Sequence, residues 1–387
     1  MKDWQIVKLG ELYSVHNGLS KGRQFFGTGF PFLTFSNVFN NWFLPNELDS
    51  LVQTTEKERV ACSIKCGDVF ITRTSETMNE LGMSSVALKD YPNATYNGFT
   101  KRLRPITDRV LPNFIGYYLR SPKFRGKFMA FSSMTTRASL ANNDLLNMEI
   151  ELPSMEVQNR IASILSRYDS LIANYQQQIK LLEEAAQRLY KEWFVDFRFP
   201  GHENTQIVDG VPEGWERNSV ASLIGKTQRT KQVPTKEYLT KGSFPVIDQG
   251  RKFIAGYTND RECLVNVSVP YIVFGAHTRV LKYIPFNFAK GADGTQLIMS
   301  NNLNRMPQCL FYYSLINVDI SNYSYARHFK YLKEETIVVP DSDIAIKYRD
   351  IVSPMLDMVQ RYRNQIILLT EARDRLLPKL MSGEVEV

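Results

Sequence analysis

The chain repeats itself in register, and this repeat restricts its architecture more than any other feature. Adding 187 to Tyr175, Gln178, Glu184, Ala185, Arg188 and Leu189 gives Tyr362, Gln365, Glu371, Ala372, Arg375 and Leu376. Both copies lie in long amphipathic stretches that open behind a proline, Pro153 in one and Pro340 in the other. A fainter echo joins the starts of the two halves, where Trp4 and Leu9 to Leu12 answer to Trp215 and Val220 to Leu223. Self-similarity on this scale marks one structural unit used twice. The predicted order is a globular domain at 1–153, a long helix at 154–199, a second domain at 200–339 and a second long helix at 340–387.

In the first helical stretch Ile161, Ile164, Tyr168, Leu171, Tyr175, Gln178, Leu182, Ala185 and Leu189 follow each other at alternating spacings of three and four. That is the heptad seam of a coiled coil. The second stretch runs Tyr348, Ile351, Met355, Met358, Tyr362, Gln365, Leu369, Ala372 and Leu376 in the same register. A helix of about 40 residues is about 60 Å long, more than the width of a domain of this size. The two helices are therefore expected to pair as an antiparallel coiled coil with pseudo-two-fold symmetry. Tyr175, Gln178 and Leu182, with Tyr362, Gln365 and Leu369, would lie on the paired seam, where a glutamine can fix register at some cost in stability. Two prolines predict an imperfect copy: Pro354 should kink or delay the second helix, and Pro378 should end it early. The aromatic run Trp193, Phe194, Phe197 and Phe199 has no counterpart and is expected to cover the second domain or a partner.

The globular stretches read as mixed α+β. Phe30 to Phe35, Val69 to Thr72, Ser85 to Leu88 and Glu149 to Leu152 have the composition of strands, with short helices over Asn113 to Leu119 and around Lys123 to Phe131. In the second domain Phe244 to Ile247, Tyr271 to Phe274 and Thr336 to Val339 read as strands and Gln308 to Leu315 as a helix. The long helices are close to neutral, so the net charge of +7 sits in the globular domains. An anion such as a nucleic-acid backbone would be met there. The residues expected to meet it follow strand ends, where loops carry function. In the first domain they are Asn37, Thr72, Arg73, Thr74, Ser75, Lys101, Arg102 and Arg137. In the second they are Lys226, Arg229, Lys231, Gln249, His277, Thr278, Arg279, Arg327 and His328. Arginine and lysine suit guanine edges and phosphates; asparagine and glutamine suit adenine.

Patterns that could carry catalysis fail on their context. Phe25, Gly27 and Gly29 spell a Phe-x-Gly-x-Gly pattern like a methyl-donor loop, but no strand, loop and helix unit surrounds it. There is no Gly-x4-Gly-Lys-Ser/Thr phosphate loop and no Gly-x-Ser-x-Gly nucleophile elbow. Cys62, Cys66, Cys263 and Cys309 lack the paired spacing of a zinc site and read as reduced thiols. No bound cofactor or metal is expected. With no apolar run long enough for a membrane span and no signal-peptide pattern, the expected location is the cytoplasm.

These residues resemble one family, the DNA specificity subunit of type I restriction-modification systems. The resemblance rests on Leu9-Gly10-Glu11-Leu12, Gly67-Asp68-Val69, the Pro-x-x-Glu-x-Gln start at Pro153 and the junction Val211-Pro212-Glu213-Gly214-Trp215. It continues through Phe274-Gly275-Ala276-His277-Thr278-Arg279, Gly291-Ala292-Asp293-Gly294 and the run from Arg375 to Gly383. It implies two target-recognition domains, each reading half of a split site in double-stranded DNA, with helices setting the gap. It also implies that chemistry resides in partners: two adenine-methylating modification subunits using S-adenosylmethionine, and restriction subunits using ATP and Mg. The second helix departs from the pattern, with Asp341, Asp343 and Ala345 where the first has Ser154, Glu156 and Gln158. A basic scaffold that binds RNA or another acidic partner is the alternative reading.

Overall fold

The computed structural model describes residues 4–73, 80–133, 141–292, 294–321 and 328–387. It divides into two compact units, one formed by Met1–Ala173 with Ile367–Val387 and the other by Asn174–Ile366. Each unit thus contains one half of each long helix.

In the first unit the strand Gln5–Lys8 pairs antiparallel with Glu149–Leu152, and the latter feeds directly into the first long helix, Met155–Tyr190. A four-stranded antiparallel sheet runs in the order Tyr13–Asn17, Thr100–Pro105, Val69–Thr72, Ser84–Val86. Its strand Val69–Thr72 is buried throughout, and its alternate side chains serve two cores. Val69 and Ile71 join Phe114, Tyr117 and Tyr118 of the helix Pro112–Arg120, while Phe70 joins Leu33, Val38 and Tyr96. The period of two along a strand produces this division.

The second unit repeats the plan. Glu216–Ser219 pairs antiparallel with Thr336–Val339, which leads into the second long helix, Ser342–Ser382. Tyr271–Gly275 is the central strand, flanked by Leu281–Ile284 and Thr295–Ile298. Here Ile272 and Phe274 enter a core with Phe311 and Tyr313, and Tyr271 and Val273 enter one with Phe288. A smaller sheet recurs as well. Phe26–Leu33 pairs antiparallel with Leu51–Val52 and parallel with Thr95–Tyr96, as Phe244–Ile247 pairs antiparallel with Gly256–Thr258 and parallel with Phe288–Lys290. The strand expected to reach Phe35 stops at Leu33, because Thr34 accepts a hydrogen bond from the Asn37 amide and caps a helix over Phe35–Asn40.

The long helices correct the expected seam by one residue at every other position. Alternating spacing is present, but the inward stripe runs Ile161, Leu165, Tyr168, Ile172, Tyr175, Ile179, Leu182, Ala186, Leu189, and in the second helix Tyr348, Val352, Met355, Val359, Tyr362, Ile366, Leu369, Arg373, Leu376. Gln178, Ala185 and Gln365 are exposed. The apolar side chains Leu165, Ile172 and Ile179 decide the phase, since burying them gains more than burying glutamine, whose amide would need partners.

Inside the first unit Asp169 accepts a 2.6 Å hydrogen bond from Arg373, and Ile161 and Leu165 share a core with Leu377, Leu380 and Met381. Inside the second, Tyr175 stacks on Tyr362 with centroids 4.9 Å apart, and the Tyr348 hydroxyl donates to the Ala186 carbonyl at 3.2 Å. In each unit residue numbers rise along one helix as they fall along the other, so the pairing is antiparallel.

The second helix runs unbroken through both prolines. Pro354 is exposed, so the carbonyl it leaves unbonded can face water, while Val352 and Leu356 on the opposite face hold the turn in the core. At Pro378, burial of Leu377, Leu380 and Met381 does the same. The first helix instead closes through a π-helical turn, Lys191–Val195, that aims Trp193 and Phe194 inward. Phe199 lies 4.6 Å from the Trp215 ring and Trp193 6.0 Å from the Tyr348 ring, so the aromatic run belongs to the second unit's core.

Candidate nucleic-acid interface

In the first unit the central strand ends at Thr72, which is fully buried. Its hydroxyl donates to the Glu80 carbonyl at 2.7 Å and accepts from the Met83 amide at 2.9 Å, so it joins the strand end to the next described residues of the chain. Thr72 therefore ties its strand to Glu80 and Met83 rather than facing a ligand. Thr74, Ser75, Arg137 and Arg327 lie outside the described residues.

Other basic residues expected on the surface are interior. Arg102 is 3% exposed, donating at 2.5 Å to the Ser63 carbonyl and lying 5.4 Å from the centre of the Tyr96 ring. It sits on a strand face that turns into the core, and free carbonyls beyond the helix Glu56–Ala61 receive its charge. Lys101 points the other way, is 5% exposed, and donates to Asn142. Burial, and then the neighbouring Arg73, lower its pKa. Asn37 is consumed by its capping box, its side-chain oxygen accepting from the Thr34 amide and hydroxyl. Arg73, half-buried, follows Thr72; its amide donates to the Phe99 carbonyl at 3.0 Å, and its Nε has no hydrogen-bond partner among the described residues.

The second unit gathers its polar residues more openly. The turn after Tyr271–Gly275 is closed by the Arg279 amide donating to the Gly275 carbonyl at 2.8 Å and the Gly275 amide to the Val280 carbonyl at 2.9 Å. It places Arg279 at φ 61°, a left-handed conformation that costs a non-glycine residue roughly 1–2 kcal/mol. Gln249, at the end of the neighbouring sheet, accepts from the His277 amide at 3.2 Å through its side chain, and its carbonyl accepts from the Thr278 hydroxyl at 2.5 Å. Gly294 completes the approach: a Cβ there would lie 2.7 Å from His277 and 2.8 Å from the Gln249 side chain.

Arg279 donates at 3.3 Å to the ring of His328, which is buried. Burial, then Arg279, then His277 hold the His328 pKa below its ordinary value, so the ring is neutral near pH 7. Beside this group a cleft of about 620 Å³ is lined by His277, Gln232, Gln296, Phe329, Lys330 and Lys333. Gln232, Gln296, Lys330 and Lys333 were absent from the sequence-based set, although the i, i+3 spacing of the two lysines on His328–Glu334 places them on one helix face. Lys226 and Arg229 are exposed but do not line the cleft. Lys231 pairs with Asp260 at 2.8 Å and Glu262 at 3.6 Å, which absorbs its charge locally.

Thus His277, Thr278, Arg279, Gln249 and His328 come together, whereas Asn37, Thr72, Lys101 and Arg102 do structural work. The assembled group offers amide, imidazole and cationic donors and acceptors at a loop edge, the chemistry of base edges and phosphates. Among the described residues no cluster of three or more His, Cys, Asp or Glu could hold a metal ion, and no helix is long and apolar enough to cross a membrane.

Residues 1–184 match the family described as the type I restriction modification DNA specificity domain. Over its whole length the chain is similar to the type I restriction enzyme MjaIX specificity subunit of Methanocaldococcus jannaschii, with 26% identity covering 94% of that protein. It is 27% identical to the type I restriction enzyme HindI specificity subunit of Haemophilus influenzae over 59% of this chain and 49% of that one. Among solved structures, the S subunit of a type I restriction-modification system from M. genitalium aligns with a TM-score of 0.61 at 16% identity, covering 98% of this chain and 96% of that chain, and so shares its fold.

Proposed function

Because the chain belongs to the family of type I restriction-modification specificity subunits, we propose that it reads a two-part DNA site, one half with each unit. It recognises sequence and performs no chemistry of its own. Two adenine-methylating subunits that bind S-adenosylmethionine, and restriction subunits that use ATP and Mg, act where this chain places them. The helices set the gap between the half-sites.

The observation that carries this reading is the contrast between a repeated frame and unlike loop chemistry. Both units deliver a buried central strand to a loop edge, yet one presents Arg73 and Phe99 there and the other His277, Thr278, Arg279 and Gln249. Two readers of the same half-site would need no such difference. Methylation mapping of the complex tests it. His277→Ala with Gln249→Ala should relax or abolish one half of the methylated motif while the other half stays intact. Loss or retention of both halves together would refute the assignment, and equal affinity for specific and scrambled duplexes would favour a general scaffold.

A further inference from the structure

The most exposed aromatic side chain of the first unit's sheet edge is Phe99, 65% accessible to solvent. Its backbone, by contrast, is tightly held. The Phe99 amide donates to the Asn97 side chain at 2.9 Å, and Asn97, itself buried, donates through its side chain to the Leu33 carbonyl at 3.0 Å. The Thr100 hydroxyl donates to the Asn97 carbonyl at 3.0 Å, and the Phe99 carbonyl accepts from Arg73. A large apolar ring is thus presented to water on a fixed turn, and leaving it exposed forgoes the gain of burial.

The electrostatics around that turn are also unbalanced. Arg73 forms no ion pair with a carboxylate among the described residues, and its charge is felt by the buried Lys101, whose ammonium donates to Asn142. A guanidinium with no carboxylate partner among the described residues, beside a protruding ring, suits an anion that also offers apolar or π surface, and a nucleic-acid duplex is both. In the second unit the matching turn residue is Gly294, whose place is taken by His277 and Gln249. A side chain is therefore present in one unit where the other has none.

We propose that Phe99 is a wedge that inserts at a base step of the half-site read by the first unit, with Arg73 facing an adjacent phosphate. Apolar side chains of this kind unstack a step and bend the duplex. The proposal rests on the DNA-reading function, and its test separates the two. The complex of the full chain with its modification subunits is titrated with duplexes carrying the motif found by methylation mapping, with 2-aminopurine placed in turn at each position of both half-sites. Wild type should raise 2-aminopurine fluorescence at one step of one half-site. Phe99→Ala should abolish that rise and weaken binding by roughly 5- to 150-fold, the range of one lost aromatic stacking contact. Phe99→Leu should retain part of both signals. If wild type fails to distinguish specific from scrambled duplex, the reading function itself falls. If wild type does distinguish them and Phe99→Ala keeps its affinity and fluorescence within twofold, only the wedge is overturned. Intact DNA binding with weakened capture of modification subunits would likewise overturn it, making the ring a protein contact.

Discussion

Gln158 shows how one side chain can fix a domain to its helix. Fully buried, it accepts from the Leu111 amide and donates to the Arg109 and Pro153 carbonyls, each at 2.9 Å. Gln158→Leu would strand these backbone groups and is expected to destabilise the first unit by about 2 to 4 kcal/mol, measurable by urea denaturation. The second unit reaches the same end by other means: Ala345 stands at the matching position, and Asp341 accepts from the Trp215 indole at 2.9 Å while capping its helix through the Asp343 and Ile344 amides. The loss of the Pro-x-x-Glu-x-Gln pattern is therefore a change of clamp. His328 supplies a pH-dependent counterpart. Its folded pKa lies below the unfolded value, so its contribution is complete above about pH 6.5 and is lost as pH falls and the unfolded chain binds the proton first. His328→Asn should flatten the stability slope between about pH 7 and 5; an unchanged slope would remove His328 as its source.

Along the helices, the repeat was legible and its phase was only half so. Tyr175, Leu182 and Leu189 and their copies face inward, but the intervening positions required comparing Ile164, Leu171 and Gln178 with Leu165, Ile172 and Ile179, and the second set is uniformly apolar. Tertiary packing also overrode the local penalties of Pro354 and Pro378. The phase can be checked directly. Ala186 is fully buried, so Ala186→Leu should cost about 1 to 3 kcal/mol through overpacking. Ala185→Leu, on the exposed side, should stay within roughly 0.5 kcal/mol of wild type. The strands named from sequence were found because their apolar runs are short and bounded by turns, whereas Tyr13–Asn17, Thr100–Pro105, Leu281–Ile284 and Thr295–Ile298, which share the sheets of the two central strands, were missed. The site was harder to read because a basic residue on a strand looks alike from sequence whether it faces solvent or, like Arg102, lies over Tyr96 against carbonyls. Phe99 went unnoticed for the opposite reason, since an aromatic in an Asn-Gly turn resembles a core residue until its exposure is known.

At the scale of the molecule, the stripe on both long helices repeats every seven residues, which makes the spacing adjustable in whole heptads. Seven residues inserted in both helices, after Ala173 and after Ile366, should preserve each unit's packing and add about 10 Å of helix. Under the proposed function the gap in the methylated motif then grows by about three base pairs at 3.4 Å each; an unchanged gap would show that the helices do not set it. Each unit also draws on segments far apart in the chain. The core around Val69 and Tyr118 includes Leu377, Leu380 and Met381. During synthesis the first unit can form its sheets early but must wait for Leu377, Leu380 and Met381 before that core closes. A chain interrupted just after Ile366 would carry a complete second unit beside a first one whose core stays open to proteolysis.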